Sequence, residues 1–314
     1  MRICIIGPNS PIPPTGWGAV ESLIWDMNRT LIQMGHKVKI INIGSPIEII
    51  KEINNFRPDF VHINYDDWIP LYPYIQYPCA ITTHFAYITR PKFMGAYKQR
   101  VFDLFKAIKP KIFGLSRGIN DAYESLCQIP DSKLFLNPNG VDCEVFEKTN
   151  HPEFPESSIY LAKIDSRKRQ YLFQFIESLF YAGNIADNRF DKSKNYLGEW
   201  SKEYLHKNLT NYGNLALLSD GEAHPLVCLE AFAAGLGVVI SEWATANLDL
   251  SKNFITVIPE EKISDVDYVE QKIIENRIYS VKNRQEIFDY AKTFDWKVIL
   301  ESHYIPNITK VING

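Results

Sequence analysis

Several familiar signals are missing from this 314-residue chain. Its five cysteines, at positions 4, 79, 127, 143 and 228, are odd in number, scattered, and form no CxxC pair. A disulfide framework and a zinc site are therefore not indicated, and a reduced, cytoplasmic setting is the expectation. No apolar run reaches the ~18 residues of a membrane span, and the opening MRICIIGP reads as a short strand rather than a leader. Charge of neither sign dominates: 34 basic residues stand against 37 acidic ones, so nucleic acid is not expected as a partner. Solenoid repeats and low-complexity tracts are absent. So is the dinucleotide fingerprint GxGxxG, which disfavours a nicotinamide enzyme.

What is present is alternation. With 46% hydrophobic residues the chain can build two cores, at ~150 residues per domain. Strands are expected at 2–7, 37–43, 59–64, 79–84, 111–116 and 133–140, with helices at 18–34, 47–55, 92–107 and 117–126. The strands are apolar on both faces, as in a parallel sheet wrapped by helices. EKTNHPEFPESS (147–158), with two prolines and several charges, reads as a linker. A second series follows, with strands at 158–164, 181–185, 194–198, 214–219, 237–241 and 254–258. Its helices fall at 167–180, 199–208 and 225–234, and the tail is helical at 268–276, 281–293 and from 296 onward. The prediction is an α/β chain of two Rossmann-like domains facing each other across a cleft. Residues 1–148, joined by a C-terminal helix at 296–314, form the first and 149–295 the second. Open parallel sheets bind ligands at the carboxyl ends of their strands.

EAHPLVCLE (222–230) is the most informative stretch. Pro225 suits the first helical position and His224 the cap, while Gly235 closes the helix before the strand GVVIS. Glu222 then lies ahead of the helix and Glu230 nearly two turns inside it. Eight residues at ~1.5 Å rise span about 12 Å, beyond the roughly 5–9.5 Å of a glycosidase carboxylate pair. Two anchors for the ends of one long ligand fit better, with the free N–H groups of Leu226 and Val227 between them facing an anion. The plainer alternative is a solvated helix-face Glu230 and an ordinary loop Glu222.

The stretch LLSDGEAHPLVCLEAFAAGLGVVIS resembles the signature of the retaining glycosyltransferases of family four, which have the GT-B fold. There a Ser precedes a Glu by three residues and a second Glu follows eight residues later, here Ser219, Glu222 and Glu230. NPNGVDCEVF (137–146) is similar to the family's exit from the first domain, and LAKIDSRK (161–168) to its strand-to-helix turn. The resemblance runs, with gaps, through nearly the whole chain. It implies that Glu230 holds the donor ribose, that Glu222 faces the donor sugar, and that Lys163 and Lys168 meet the leaving diphosphate. Lys163 stands where the family usually has Arg, with loss of bidentate phosphate recognition. GPNSPIPPTGWGAVE (7–21) is similar to the family's glycine loop, with Gly16 and Gly18 near phosphate and Trp17 as a departure from the usual small residue. His84, in TTHF, falls where the family's histidine contacts the donor sugar, whereas His62 reads as a strand-packing residue. Trp200 is a candidate for packing near the base.

The resemblance thus implies a metal-independent hexosyl- or N-acetylhexosaminyltransferase. Its donor is a UDP- or GDP-sugar and its acceptor a hydroxyl of a glycan or glycolipid. No cofactor is expected, since the nucleotide-sugar is a substrate and the lysines supply the charge a metal would bring. DVD (265–267) echoes a metal-binding pattern of another transferase fold in the wrong context. The stretch 90–111 carries seven basic residues against Asp103, with aromatics interleaved. It is either a packed helix with a solvated face or a patch for an acceptor or peripheral membrane contact. An epimerase or hydrolase on the same fold, and a non-catalytic nucleotide-sugar-binding relative, are the alternatives.

Overall fold

The computed structural model describes the chain except residues 15–17, 85, 87, 94 and 192–194, together with the side chains of 91 and 96–98. It divides into two compact units, Met1–Gly140 with Trp296–Gly314, and Val141–Asp295. Val141 to Lys148, expected in the first domain, belong to the second.

The first unit holds strands β1 (Arg2–Ile6), β2 (Lys37–Ile41), β3 (Phe60–Ile63), β4 (Cys79–Ile81), β5 (Ile112–Gly114) and β6 (Leu134–Leu136). They form one parallel sheet in the order β2-β1-β3-β4-β5-β6. Helices α1 (Ala19–Gln33), α2 (Pro46–Phe56), α3 (Ala96–Ile108) and α4 (Arg117–Cys127) connect them. Ser45 and Ser116 cap α2 and α4 by accepting from Glu48 N–H and Ile119 N–H. A 3-10 helix at Asp66–Tyr74 was not expected; Pro70 and Pro73 remove the donors that an α-helix there would need.

The second unit holds β7 (Phe154–Leu161), β8 (Leu179–Ala182), β9 (Tyr212–Leu217), β10 (Gly237–Ser241) and β11 (Ile255–Ile258). These too are all parallel, in the order β11-β10-β9-β7-β8. Its helices are α5 (Gln170–Phe173), α6 (Lys202–Asn208), α7 (Leu226–Ala233), α8 (Val266–Lys282) and α9 (Arg284–Ala291). In both sheets the strand order reverses direction at one point, between β1 and β3 and between β7 and β9. Such a switch point opens a crevice at the carboxyl ends of the strands.

Three expectations change. The linker 147–158 is shorter than its composition suggested, because β7 begins at Phe154 and pairs with Tyr212 of β9. The helix expected over 167–180 is reduced to the single turn α5. Arg169 adopts a left-handed φ of 60°, and Asp165 Oδ1 accepts from Lys168 N–H, so 165–169 is a tight turn rather than a helical one. The strand expected at 194–198 is represented only by a bridge between Tyr196 and Tyr181, with residue 194 outside the described residues. The terminal helix returns to the first unit as α10 (Trp296–Ile299), a π-turn at Leu300–Tyr304, and α11 (Ile305–Asn313). The Tyr304 hydroxyl reaches His62 Nδ1 at 3.1 Å, and His62 is 1% exposed, a packing residue as its sequence context suggested.

Helix α7 ends in a complete Schellman motif. Gly235 N–H bonds Phe232 O at 2.9 Å and Leu236 N–H bonds Ala231 O at 2.8 Å, with Gly235 at φ +80°. A Cβ at Gly235 would also lie 2.5 Å from the buried Phe288 ring. Gly235→Ala is therefore expected to lose about 2–4 kcal/mol from the combined left-handed strain and overpacking. A urea denaturation midpoint equal to that of the parent would contradict this account.

Candidate functional site

The switch point of the second sheet places the turn after β7 beside the loop after β9. Tyr160, near the end of β7 and 0% exposed, ties the two together. Its hydroxyl donates to Lys168 O at 2.5 Å and accepts from Leu218 N–H at 2.9 Å. Arg169 clamps the same turn from behind. Its guanidinium grips both carboxylate oxygens of Glu260, at 2.6 and 3.0 Å, and pairs with Asp220 at 3.0 Å. Trp243 Nε1–H donates to the same Glu260 at 3.0 Å. A bidentate arginine pair of this kind fixes orientation as well as charge.

Held by this frame, Lys168 and Arg167 converge on Glu222. The Lys168 ammonium lies 2.5 Å and the Arg167 guanidinium 3.1 Å from Glu222 Oε1, and Arg167 also donates to Gly221 O at 2.5 Å. Glu222 keeps only 14% side-chain exposure. Burial by itself pushes its carboxyl pKa up, but the two adjacent cations outweigh that and hold it below the ordinary value of 4.5. Glu222 is thus an ionised carboxylate seated between two cations.

Helix α7 begins one residue later than expected: its cap is Pro225 and its first residue Leu226, so His224 stands outside the helix. His224 is 4% exposed, and burial drives its pKa down to about 3, leaving a neutral ring. Among the described residues, the Leu226 and Val227 N–H groups have no backbone acceptor; the first capping bond is Cys228 N–H to Pro225 O at 3.0 Å. Glu230, one turn on, is paired with Lys202 at the start of α6, and keeps 15% side-chain exposure. Glu222 therefore lies ahead of α7 and Glu230 in its middle, the first paired with two cations and the second with Lys202.

The structure does not assemble all the expected residues. Lys163 is exposed at the end of β7 and takes no part in the Glu222 cluster; its carbonyl accepts from Gln170 Nε2–H at 3.0 Å. Trp200 departs from the expectation of a ring packing near the base. It is 6% exposed and packs in the core against Tyr204 and Tyr212, with ring centroids 5.0 and 6.0 Å away. Arg167, Lys202, Tyr160 and Arg169 were missed. Arg167 stands beside Lys168 in SRKR, so the basic run was the available signal, while nothing in the sequence pairs Lys202 with a glutamate 28 residues on.

In the first unit, Gly16 and Trp17 lie outside the described residues. Gly18 caps α1 in an extended conformation, and a Cβ there would meet the Glu21 carboxylate at 2.8 Å. The start of α1 therefore carries its own anion. His84 follows β4, and its Nε2–H donates to Asn64 Oδ1 at 2.5 Å. Burial lowers its pKa to about 4, against a smaller opposing effect of Asn64, so its ring is neutral near pH 7. In α3, Val101, Phe102 and Phe105 are buried while Arg100 and Lys106 are exposed, an amphipathic arrangement with a basic outer face. Among the described residues no helix is long and apolar enough to cross a membrane. Asp265 of DVD caps α8 by accepting from Tyr268 N–H.

Because the folded-state pKa of Glu222 is depressed, its contribution to stability is present above the ordinary pKa and fades as pH falls through the folded value. Glu222→Gln is expected to cost about 1–3 kcal/mol at pH 7, by leaving two cations facing a neutral amide. It should also flatten the loss of stability below pH 4.5, the ordinary carboxyl value. Urea titrations at stepped pH check both, and an unchanged acid limb would contradict the assignment.

No protein-family model matches the chain, and neither does any curated protein sequence. Solved structures do. Sucrose-phosphate synthase from Thermosynechococcus elongatus superposes with a TM-score of 0.78 at 14% identity, over 99% of this chain and 98% of that one. HepE of Anabaena in complex with UDP-glucose gives 0.72 at 12% identity, over 100% and 99%. The lipopolysaccharide outer core galactosyltransferase WaaB gives 0.69 at 14%, over 98% and 99%. At this identity the likeness carries the fold: two parallel-sheet, Rossmann-like units with the GT-B architecture of these transferases.

Proposed function

We propose that the chain is a retaining, metal-independent glycosyltransferase of the family-four type. It moves a hexose or N-acetylhexosamine from a UDP- or GDP-sugar to an acceptor hydroxyl of a glycan or glycolipid. The observation that carries this reading is the Glu222–Lys168–Arg167 cluster at the β7/β9 switch point, with the open start of α7 beside it. HepE, one of the structural neighbours, binds UDP-glucose, which supports a nucleoside diphosphate sugar as the donor class.

In this reading the donor lies along α7. Glu230, held by Lys202, accepts from the ribose hydroxyls, and the N–H groups of Leu226 and Val227 face the diphosphate. Lys168 and Arg167 turn from Glu222 toward the departing phosphate, with Lys163 at the same strand end. Negative charge grows on that phosphate as the glycosidic bond breaks, and preorganised cations stabilise the growth without reorganising. Glu222 keeps the two cations in place in the free protein and faces the sugar ring when they are shared with the diphosphate. Retention without an obvious nucleophile leaves positioning and leaving-group stabilisation as the main catalytic factors. The acceptor proton passes to the departing phosphate on the same face. His84 is assigned to a sugar hydroxyl, and the basic face of α3 to a lipid-linked acceptor or membrane surface in a cytoplasmic setting. The lysines and arginine supply the positive charge that a divalent ion would bring, so no cofactor is required.

A proton NMR time course with UDP-glucose, UDP-N-acetylglucosamine and GDP-mannose, without added metal, tests the reaction class. Slow release of nucleotide from one donor, with the α-sugar appearing first, is expected; epimerised sugar would overturn the reading. Lys168→Met should lower kcat about 10²- to 10³-fold, as losing a preorganised charge-stabilising group does elsewhere. Glu230→Ala should weaken donor binding while leaving the circular dichroism spectrum and melting cooperativity intact. Unchanged donor affinity in a calorimetric titration would sink the ribose assignment.

A further inference from the structure

The carboxyl ends of β7, β9, β10 and β11 are joined through one carboxylate to which the functional reading gives no role. Glu260 opens the short 3-10 turn Glu260–Lys262 after β11, the edge strand, and β10 and β9 lie between it and β7. Arg169, from the turn after β7, donates to both of its oxygens, at 2.6 and 3.0 Å. Trp243 Nε1–H, from the turn after β10, donates to Glu260 Oε2 at 3.0 Å. Backbone bonds complete a circuit. Trp243 O accepts from Glu222 N–H at 3.1 Å, and Asp220 N–H donates to Arg167 O at 2.8 Å. Asp220 also pairs with the Arg169 guanidinium at 3.0 Å, and Glu260 N–H donates to Glu242 Oε2 at 3.1 Å. Glu260 therefore connects the turn that carries Lys168 and Arg167 with the loop that carries Glu222. The backbone of Arg169 shows what this connection is kept for. It stands at φ 60° and ψ 18°, a left-handed conformation that glycine adopts without strain and arginine does not. What an arginine supplies at that position is its guanidinium, 9% exposed and gripped by two carboxylates. A desolvated pair of this kind adds little net stability and much geometric definition.

We propose that Glu260 is a positioning residue: through Arg169 on one side and Trp243 on the other, it sets the distance at which Lys168 and Arg167 meet Glu222. The cations are thereby gathered for the donor diphosphate before it arrives. The proposal rests on the nucleoside diphosphate sugar reading for what the cations serve, and extends it to a strand end outside the sequence motif.

A carboxyl NMR titration of glutamate-labelled full-length protein tests this without reference to activity. The Glu222 signal is identified by its loss in Glu222→Gln. Burial pushes the Glu222 pKa up and the nearby cations more than offset it, so the titration reports how close Lys168 and Arg167 stand. The other titratable groups facing Glu222 are Tyr160 and Cys228, both kept neutral by burial. Glu260→Ala is expected to raise the Glu222 pKa by roughly one unit, the scale on which one nearby cation acts. Arg169→Gly relieves the left-handed residue while removing the guanidinium, so it should melt close to the parent and still raise that pKa. The two variants together should go no further than the larger single effect, because both break one link. Ile273→Val, which removes a buried methylene in α8, serves as the control for general loosening and should leave the Glu222 titration unchanged. Turnover is followed with whichever of UDP-glucose, UDP-N-acetylglucosamine and GDP-mannose the parent consumes. There Glu260→Ala should lower kcat about tenfold with a change in KM of about threefold or less, and Glu260→Gln, which keeps one acceptor oxygen, should recover part of the loss. If Glu260→Ala does not fold, Glu260→Gln and Arg169→Gly decide. A parent-like Glu222 titration in Glu260→Ala or Arg169→Gly, an equal shift in Ile273→Val, or additive effects in the double variant would overturn the positioning role. Absence of turnover by the parent would instead overturn the transferase reading, with the carboxyl titration still deciding the role of Glu260.

Discussion

The ion cluster of Glu222 with Lys168 and Arg167 is the constraint on which the second unit's site depends. A carboxylate with 14% exposure is tolerable because two cations reach it, and the 11%-exposed Lys168 ammonium is in turn balanced by the carboxylate. Neither side could be built first and the other added. The surrounding framework serves that mutual requirement: the Tyr160 crossbar sets the height of Lys168 O against Leu218 N–H, and the Arg169 clamp closes the turn from behind. Removing one partner would expose the desolvation cost of the remaining ones.

The same logic makes the cluster suited to a charged ligand. Under the proposed transferase reading a diphosphate would take over the role of that carboxylate, with the two cations already gathered at one point. Glu222 ahead of α7 and Glu230 within it show the same device at two scales, with Lys202 at Glu230 and Lys168 with Arg167 at Glu222. In the first unit the chemistry is different: Asn64, His84, His62 and Thr82 are neutral groups joined by hydrogen bonds, with burial keeping both histidines uncharged. One unit thus presents charge, and the other presents neutral donors and acceptors.

Much of the fold was legible from the chain. Strands such as β1, β3 and β10 are apolar on both faces, which only a sheet covered on both sides accommodates, and Ser45, Ser116 and Gly235 mark helix ends by their own chemistry. The segment 167–180 was misread because its apolar spacing suits a helix, whereas the ion pairs of Arg169 and the turn at Asp165 override propensity. EKTNHPEFPESS was read as linker through Ser158, yet pairing with β9 draws Phe154 onward into β7. In both cases long-range partners, invisible to a local window, decided the outcome.

What the sequence determined by itself was the class of elements, their order, and the carboxylates and lysine of the motif, since each of these rests on local periodicity or on residue types at short spacing. Tertiary structure alone decided which cations meet which carboxylates. Arg167 rather than Lys163 joins Lys168 on Glu222, Lys202 finds Glu230, Trp200 turns into the core, and His84 meets Asn64. Each of those pairings joins separate segments whose distance is set by parallel strand order and by the handed return of the chain. Charge, burial and hydrogen-bond geometry acquire their values only once the sheet has brought the partners together.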